Sequence, residues 1–204
     1  MTPLPTQTRP PLDKAALRQE GLARRDALPA AARESAAEAI AARLLALPEL
    51  AGARVVAGYW PLRSEVDVRP ALAALHERGA RIVLPVVADP HLLFREWTPG
   101  AALSRGPFGV EGPGPEAASL RPDALLVPLA RFDRERHRIG YGKGHYDRAL
   151  AALEREEPVI AIGVAFSVQE ASVIPAEDHD RRLDMIVTEA EIVHAAGALL
   201  PREA

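Results

Sequence analysis

The chain has 204 residues, of which 48% are hydrophobic and 26% charged, and its formal net charge is −3. These values describe one soluble domain with a buried core, and they exclude a general electrostatic attraction to nucleic acid or to an anionic membrane. Because there is no cysteine, disulfides, thiolate catalysis and cysteine-based zinc sites are excluded as well. No apolar run approaches the ~20 residues of a membrane-spanning helix and no signal peptide begins the chain, so we expect a cytoplasmic protein.

Residues 1–11 contain four prolines, and we predict that they form a disordered tail before a single domain over 12–204. Residue composition predicts helices over 12–27 and 29–47. After Gly52 the pattern changes to short apolar runs that predict strands. The predicted strands are ARVVAGYW, RIVLPVV, HLLFREW, ALLVPLA, PVIAIGVAF and LDMIVTE.

Further helices are predicted between and after these strands. VRPALAALHERG predicts one that is capped by Asp67 and ended by Gly79, and KGHYDRALAALEREE predicts another. Thr188 and Glu191 match a capping box for a last helix over 189–196. Strands that alternate with helices predict an α/β fold with a mostly parallel sheet.

The segment RIGYGKGHYDR, Arg138 to Arg148, combines three glycines with basic residues. It lacks the Ser or Thr that follows the lysine of a standard phosphate loop. It does lie between a predicted strand and a predicted helix, where backbone N–H groups converge on an anion and glycines permit the close approach that this needs. Lys143 and Arg138 add positive charge. The pattern predicts a phosphate-binding turn; the alternative is a flexible surface turn with incidental charge.

Lysine is rare in this chain, since Lys14 and Lys143 are the two lysines among 25 Lys and Arg residues. A retained lysine suggests a place where a compact point charge is required instead of a planar guanidinium, although chance would leave the same number. Lys14 and Arg18 are four residues apart and share one face of the first predicted helix. The alternative is a solvated basic face, because Arg24 and Arg25 follow closely.

Two aspartates are candidate metal ligands. Asp147 lies early in the helix after the glycine turn, and Asp184 lies near the start of a strand. Carboxylates suit Mg²⁺, although an aspartate early in a helix also serves the helix dipole. Glu65, which follows a strand, is a candidate acceptor for a substrate amide or amine, or else a helix N-terminal acid.

Aromatic and histidine side chains give weaker signals. The aromatic residues that could stack on a flat ligand, or else belong to the core, are Tyr59, Trp60, Trp97 and Phe108. His179 with Asp180 resembles an acid–base pair, but no nucleophile of the serine-elbow type lies beside it. His137, His145 and His179 lack the spacing of metal ligands.

From about Lys14 to Glu189 the chain resembles the 5-formyltetrahydrofolate cyclo-ligase, or methenyltetrahydrofolate synthetase, family. The matching segments, in order, are KAALR, YWPLRSEVD, RIVLPVV, FREWTPG, FGV, PDALLVPLARFD, RIGYGKGHYDR, IGVAF and PAEDHDRRLDMIVTE. The resemblance implies a single three-layer α/β domain with a mostly parallel sheet, similar to sugar-phosphate isomerases and CoA transferases. It also implies an ATP- and Mg²⁺-dependent conversion of 5-formyltetrahydrofolate to 5,10-methenyltetrahydrofolate, with ADP and phosphate released.

The resemblance also implies roles for individual residues. ATP would be bound by Lys14, Arg18, Arg138, Gly140, Tyr141, Gly142, Lys143, Gly144, His145 and Tyr146. The folate would be bound by Trp60, Glu65, Tyr141, Gly142, Lys143, Gly144 and His145. Magnesium would be held by Asp147 and Asp184. The expected catalytic residues are Lys143 and Arg138, because phosphoryl transfer depends on positioning and charge neutralisation.

Two departures from the family pattern stand out: His145 replaces what is often a tyrosine, and EGPGPE follows FGV where the family more usually shows Glu-Pro. The long loop predicted over 99–122 is of a length that is often functional. We expect a monomer that acts on ATP and a reduced folate, without nucleic acid or membrane partners. The alternatives are a non-catalytic nucleotide- or RNA-binding domain of the same fold, and a sugar-phosphate isomerase or CoA transferase.

Overall fold

A mixed β-sheet forms the centre of the protein in a computed structural model, which describes residues 13–106, 109–177 and 180–194. The strands, in chain order, are β1 (Val55–Ala57), β2 (Arg81–Ala88), β3 (His91–Glu96), β4 (Ser104–Arg105), β5 (Glu111–Gly112), β6 (Ala124–Pro128), β7 (Arg131–Phe132), β8 (Arg138–Ile139), β9 (Ile160–Val164), β10 (Met185–Val187) and β11 (Ile192–Val193). The helices are α1 (Lys14–Asp26), α2 (Ala30–Ala46), α3 (Pro48–Ala51), α4 (Arg69–Glu77) and α5 (His145–Leu153).

Seven of these strands pair in the order β11–β10–β9–β6–β1–β2–β3. The five inner strands, from β10 to β2, run parallel, whereas β3 and β11 are antiparallel to their neighbours at the two edges. The two remaining strand pairs, β4–β5 and β7–β8, are small antiparallel hairpins. The mostly parallel α/β sheet expected from the sequence is therefore confirmed, with an antiparallel strand at each edge.

Helices cover both faces of the sheet, which makes a three-layer domain. Leu126 of β6 faces a cluster that includes Ile40 of α2 and Leu72 of α4. Its neighbour Leu125 faces the opposite cluster, which includes Leu150 of α5. This alternation follows from the period of two along a strand, and it explains why the inner strands are apolar throughout: both of their faces are buried.

Helix α1 lies outside these layers, against the β7–β8 hairpin and the 3₁₀ turn at Ser167–Gln169. Gly21 permits the close approach, since a Cβ added there would lie 2.2 Å from the carbonyl oxygen of Ala130. Position 21 shares a helix face with positions 14, 18 and 25, because their spacings are close to whole turns. The packing of α1 therefore directs that face toward the carboxyl ends of the parallel strands.

Most predicted elements are confirmed, and three expectations are corrected. The described part of the predicted helix 189–196 contains the strand β11, and Thr188 instead forms a turn in which its Oγ1 accepts from the N–H of Glu191 at 3.0 Å. The basic segment RFDRERHR, which the sequence predicts as a short loop, instead contains the strands of the β7–β8 hairpin, and the long loop over 99–122 contains the β4–β5 pair. The predicted tail, Phe108 and His179 lie outside the described residues. Among the described helices, none has the length and apolar character needed to cross a bilayer.

Candidate active site

A cleft of about 830 Å³ opens at the carboxyl ends of the central parallel strands. Its walls include Tyr59 and Trp60, which follow β1, together with Val87 near the end of β2 and Pro128 at the end of β6. This volume falls within the roughly 300–1,000 Å³ typical of small-molecule sites. The position is the one where open α/β sheets bind their ligands.

The glycine turn forms one side of the cleft, between β8 and the start of α5. Gly142 and Gly144 have φ angles of 85° and 63°, in the left-handed region that favours glycine. A Cβ at Gly142 would also lie 3.2 Å from Nη2 of Arg18. The turn therefore needs glycine at both positions, for backbone conformation and, at Gly142, for the close approach of a cation.

Helix α1 supplies two cations to this side of the cleft. Nε of Arg18 donates to the carbonyl oxygen of Gly140 at 2.7 Å and so braces the turn. Nζ of Lys14 lies 2.6 Å from Asp180 and 3.0 Å from Glu177, which also line the cleft. Partial burial lowers the pKa of Lys14, but its hydrogen bonds to these carboxylates outweigh that effect and raise the pKa above its ordinary value.

Arg138 and Asp147 form an ion pair at the cleft wall. Nη2 of Arg138 donates to Oδ1 of Asp147 at 2.6 Å, and its Nη1 donates to the carbonyl oxygen of Arg181 at 2.6 Å. The Arg138 side chain is 5% exposed, and that of Asp147 is 29% exposed. The structure thus brings a buried, always charged guanidinium and a more accessible carboxylate to the same wall as Lys143.

Glu65 lines the cleft and contacts the glycine turn through Tyr141. Its Oε2 accepts the backbone N–H of Leu62 at 2.8 Å, and its Oε1 accepts the hydroxyl of Tyr141. Burial raises the pKa of Glu65 above its ordinary range, although these two hydrogen bonds and the charge of Arg25 oppose the rise. Burial of the hydroxyl and the nearby Glu65 charge raise the pKa of Tyr141 to about 12.

An aromatic and aliphatic wall completes the cleft. The ring of Trp60 packs edge-on against Trp97, with ring centroids 5.7 Å apart, and the guanidinium of Arg69 lies 5.1 Å from the Trp60 centroid. Trp60 is thus held in place from outside the cleft that it lines. Trp97 is buried behind it and belongs to the core, as one of the two sequence interpretations allowed.

Asp184 is the predicted site residue that the structure does not bring to the cleft. It directly precedes β10, at the amino ends of the parallel strands, whereas the cleft lies at their carboxyl ends. Its Oδ2 accepts the backbone N–H of Ala161 at 2.8 Å, and its Oδ1 lies 3.6 Å from Arg181. Asp184 is therefore positioned as a cap for a neighbouring strand, and the expected pairing with Asp147 around one ion does not match this arrangement.

The other predicted site residues all line the cleft: Lys14, Arg18, Trp60, Glu65, Arg138, Gly140, Tyr141, Gly142, Lys143, Gly144, His145, Tyr146 and Asp147. Nε2 of His145 lies 3.5 Å from Asp89 at the tip of the β2–β3 hairpin. His137 instead contacts the buried Asp133 at 3.2 Å, outside the cleft wall. Within the described ranges, no three His, Asp or Glu side chains converge where they could hold a metal ion.

Sequence reasoning missed three contributors to the site. Arg25, which entered the sequence analysis only as support for a possible solvated face, is 1% exposed, and Glu177 and Asp180 are partners of Lys14 that the sequence did not indicate. The helical spacing from Lys14 through Arg18 to Arg25 could have indicated Arg25, because all three share one face of α1. No comparable local signal identifies Glu177, which reaches Lys14 from the far end of the chain.

Comparison with known proteins identifies the family. The model of the 5-formyltetrahydrofolate cyclo-ligase family matches residues 11–189. A 5-formyltetrahydrofolate cyclo-ligase from Mycolicibacterium smegmatis is 34% identical over 188 residues, which cover 87% of this chain and 94% of that protein. The solved structure of a 5,10-methenyltetrahydrofolate synthetase from Aquifex aeolicus is similar with a TM-score of 0.78 at 30% identity, covering 93% of this chain and 96% of the other. A synthetase structure from Mycoplasma pneumoniae gives 0.71 at 29% identity, covering 87% and 99%. The chain therefore belongs to the 5-formyltetrahydrofolate cyclo-ligase family.

Proposed function

We propose that the protein converts 5-formyltetrahydrofolate to 5,10-methenyltetrahydrofolate, with ATP consumed and ADP and phosphate released. The observation that carries the proposal is a single cleft that joins a cation-flanked glycine turn to a wall containing Trp60 and Glu65. The turn suits nucleotide phosphates, and the wall suits a flat ring with hydrogen-bonding edges such as a pterin. The family and the names of the relatives support the same reaction.

The nucleotide end of the cleft is assigned to the first helix and the glycine turn. The proposed ATP-binding residues are Lys14, Arg18, Arg138, Gly140, Tyr141, Gly142, Lys143, Gly144, His145 and Tyr146, all of which line the cleft. Lys14 and Arg138 each contact a carboxylate at 2.6 Å. Phosphate oxygens are acceptors of the same kind, so we infer that they take over part of these contacts when the nucleotide binds.

The folate end is assigned to the wall that contains Trp60 and Glu65. Trp60, held by Trp97 and Arg69, offers a fixed aromatic surface for stacking. Glu65 offers a carboxylate that would accept hydrogen bonds from the amide and amino groups of the pterin. The turn residues from Tyr141 to His145 lie between the two ends and would contact both ligands.

Magnesium is assigned to Asp147 alone among the two aspartates considered. Mg²⁺ usually takes one or two protein carboxylates together with phosphate oxygens and waters. Asp147 meets that requirement, because its carboxylate is partly exposed beside the cations of the cleft. When bound there, the ion would neutralise charge on the nucleotide phosphates. Asp184, which lies at the amino ends of the parallel strands, is not part of the proposed site.

The reaction requires no covalent nucleophile from the protein. The formyl oxygen is a poor leaving group, so it would first receive the terminal phosphoryl group of ATP. The second folate nitrogen would then attack the formyl carbon and lose its proton to solvent, and the C–O bond would break as phosphate departs. Lys143 and Arg138 are the proposed catalytic residues, because they line the cleft where charge accumulates on the transferred group.

An absorbance assay tests the proposal directly. The protein is mixed with 5-formyltetrahydrofolate, and the methenyl product is followed by its ultraviolet absorbance with and without Mg-ATP, while ADP is measured in parallel. We expect product and ADP to appear in equal amounts and only when the nucleotide is present. An absence of nucleotide-dependent product would reject the proposal. A gel-shift experiment with RNA tests the alternative of a non-catalytic RNA-binding domain.

We infer further that the protein works as a cytoplasmic monomer on small molecules, without nucleic acid or membrane partners. The formal net charge of −3 supports this, since it gives no general attraction to polyanions. Light scattering on the purified protein tests the oligomeric state. A mass of twice that of the chain would contradict a monomer without affecting the proposed reaction.

A further inference from the structure

Arg25 is a buried cation that is not among the predicted binding residues. The residue is 1% exposed. Its Nε donates to Oγ of Ser64 at 3.0 Å, and its Nη1 donates to the hydroxyl of Tyr141 at 3.1 Å. The same Nη1 lies 3.9 Å from Oε1 of Glu65. Burying a charge is unfavourable unless it is paired and hydrogen-bonded, so the fold has organised these three neighbours around the guanidinium.

The contacts form a directional chain of hydrogen bonds toward the cleft. Arg25 donates to the oxygen of Tyr141, and the hydroxyl of Tyr141 donates to Oε1 of Glu65. A hydroxyl that accepts a hydrogen bond from a cation becomes a stronger donor. Arg25 therefore acts on the Glu65 carboxylate in two ways, by its own charge and through the polarised hydroxyl of Tyr141.

This chain of hydrogen bonds joins three separate elements of the fold. Arg25 comes from the last turn of α1, Tyr141 from the glycine turn, and Glu65 from the segment between β1 and α4. Tyr141 and Glu65 line the cleft, whereas Arg25 lies behind them and does not. A residue in that position fixes the groups that contact a ligand without contacting the ligand itself.

We propose that Arg25 is a positioning residue of this site: it holds the Tyr141 hydroxyl and the Glu65 carboxylate in the arrangement that receives the folate. The inference rests on the proposed function, because it assigns Glu65 to folate binding. It goes beyond that function by placing control of the folate end in α1, the helix whose other residues serve the nucleotide end.

The charge environment of Glu65 gives the proposal a pH signature. The groups that face Glu65 are Arg25 from α1, Tyr141 from the glycine turn, Tyr59 after β1 and Tyr146 in α5. Burial raises the pKa of Glu65, whereas the Tyr141 hydrogen bond and the Arg25 charge oppose the rise. Removing either one raises the pKa further. If a step needs ionised Glu65, its rate then begins to fall at a higher pH as the solution is acidified, so the acidic limb of the pH profile moves to higher pH.

The test compares Arg25→Gln, Arg25→Lys and Tyr141→Phe with wild type. For Arg25→Gln we expect kcat/KM for 5-formyltetrahydrofolate to fall about 100-fold, because misplaced binding groups cost that much. KM for ATP should stay within about threefold, since Lys14 and Arg138 are unchanged. The acidic limb of the folate kcat/KM profile should move to higher pH in Arg25→Gln and Tyr141→Phe. Arg25→Lys keeps the positive charge but not the planar guanidinium. It should therefore retain the acidic limb of the wild-type pH profile and recover part of the rate that Arg25→Gln loses.

Arg24→Gln is the matched control, because Arg24 is the neighbouring residue on the exposed side of α1, where it pairs with Glu20 at 2.6 Å. It should behave as wild type. If Arg25→Gln fails to fold, Tyr141→Phe decides, since it breaks the same chain without altering the buried charge. Unchanged folate kinetics and pH limb in a folded Arg25→Gln or Tyr141→Phe would overturn the inference while leaving the proposed function intact. An inactive wild type would reject the proposed function and the inference with it.

Discussion

The two ends of the parallel strands use carboxylates differently. At the amino ends, Asp123 and Asp184 each stand directly before a strand and accept backbone N–H groups: Asp123 those of Arg54 and Val55 at 2.8 and 3.0 Å, and Asp184 that of Ala161 at 2.8 Å. At the carboxyl ends, Asp147 in the cleft instead accepts a hydrogen bond from the side chain of Arg138 at 2.6 Å.

The difference lies in what a ligand could displace. A carboxylate that caps a backbone N–H replaces a hydrogen bond that the sheet edge needs in any case. In a carboxylate–cation pair, a phosphate can take the place of the carboxylate beside the cation, and a metal ion can take the place of the cation beside the carboxylate. Aspartate is therefore part of the framework at the amino ends of the strands and part of the proposed site at their carboxyl ends, and substitutions at the two ends test that contrast.

At the carboxyl ends of the strands, Lys143→Ala should have the largest effect on catalysis. Loss of one charge that stabilises the transferred phosphoryl group should lower kcat by about 10³-fold. The free energy of unfolding should change little, because Lys143 is an exposed turn residue. Steady-state kinetics and urea unfolding measure the two quantities. Arg155→Ala, which removes an exposed cation beyond the other end of α5, is the control and should leave both unchanged; a comparable loss of activity there would indicate a general charge effect.

Asp147→Asn should have the next largest effect. We expect kcat/KM to fall about 100-fold and the Mg²⁺ concentration for half-maximal rate to rise, because the change weakens one metal ligand. Arg138 keeps its hydrogen bond to the carbonyl oxygen of Arg181, so the fold should remain. Activity is measured as a function of Mg²⁺ at saturating ATP. A variant with the wild-type Mg²⁺ response would remove Asp147 from the proposed metal site.

Asp184→Ala and Asp123→Ala should show the smallest effects, and on stability instead of rate. Each leaves a strand N–H without its side-chain acceptor, which costs about 1–3 kcal/mol of unfolding free energy. Asp123→Ala should cost more, since two N–H groups lose their acceptor. Urea unfolding measures the loss, and kcat and the Mg²⁺ response should stay at wild-type values. A shifted Mg²⁺ response in Asp184→Ala alone would restore Asp184 as a metal ligand.

The same contrast explains how far sequence reasoning reaches. The glycine turn was predictable, because Gly142 and Gly144 adopt backbone conformations that few other residues tolerate. Continuous apolar runs such as that of β6 predict the buried parallel strands. The local sequence does not predict whether an aspartate lies at the amino ends or the carboxyl ends of the strands, because Asp147 and Asp184 both stand at the start of an element. What distinguishes them is strand direction, which only the assembled sheet defines.

The final strand and the inner face of α1 were missed for a related reason. A capping-box pattern at Thr188 and Glu191 fits a helix start, but pairing of β11 with β10 competes with it and prevails. Helical spacing places Arg25 on the face of α1 that carries Lys14 and Arg18, but it does not indicate that the residue is buried. Its burial depends on Ser64 and Tyr141, which are 39 and 116 residues away in the chain.

The docking of α1 has a consequence for how the protein folds. The hydrogen bonds from Arg18 to Gly140 and from Lys14 to Asp180 span 122 and 166 residues, so α1 can complete both contacts only after residue 180 has reached its place in the fold. Contacts of such sequence separation form slowly. We therefore expect α1 to dock late and to open as a local unit whose amide hydrogens exchange faster than those of the central strands. Ligands that bind its inner face would slow that exchange, so ligand binding and the docking of α1 become linked equilibria.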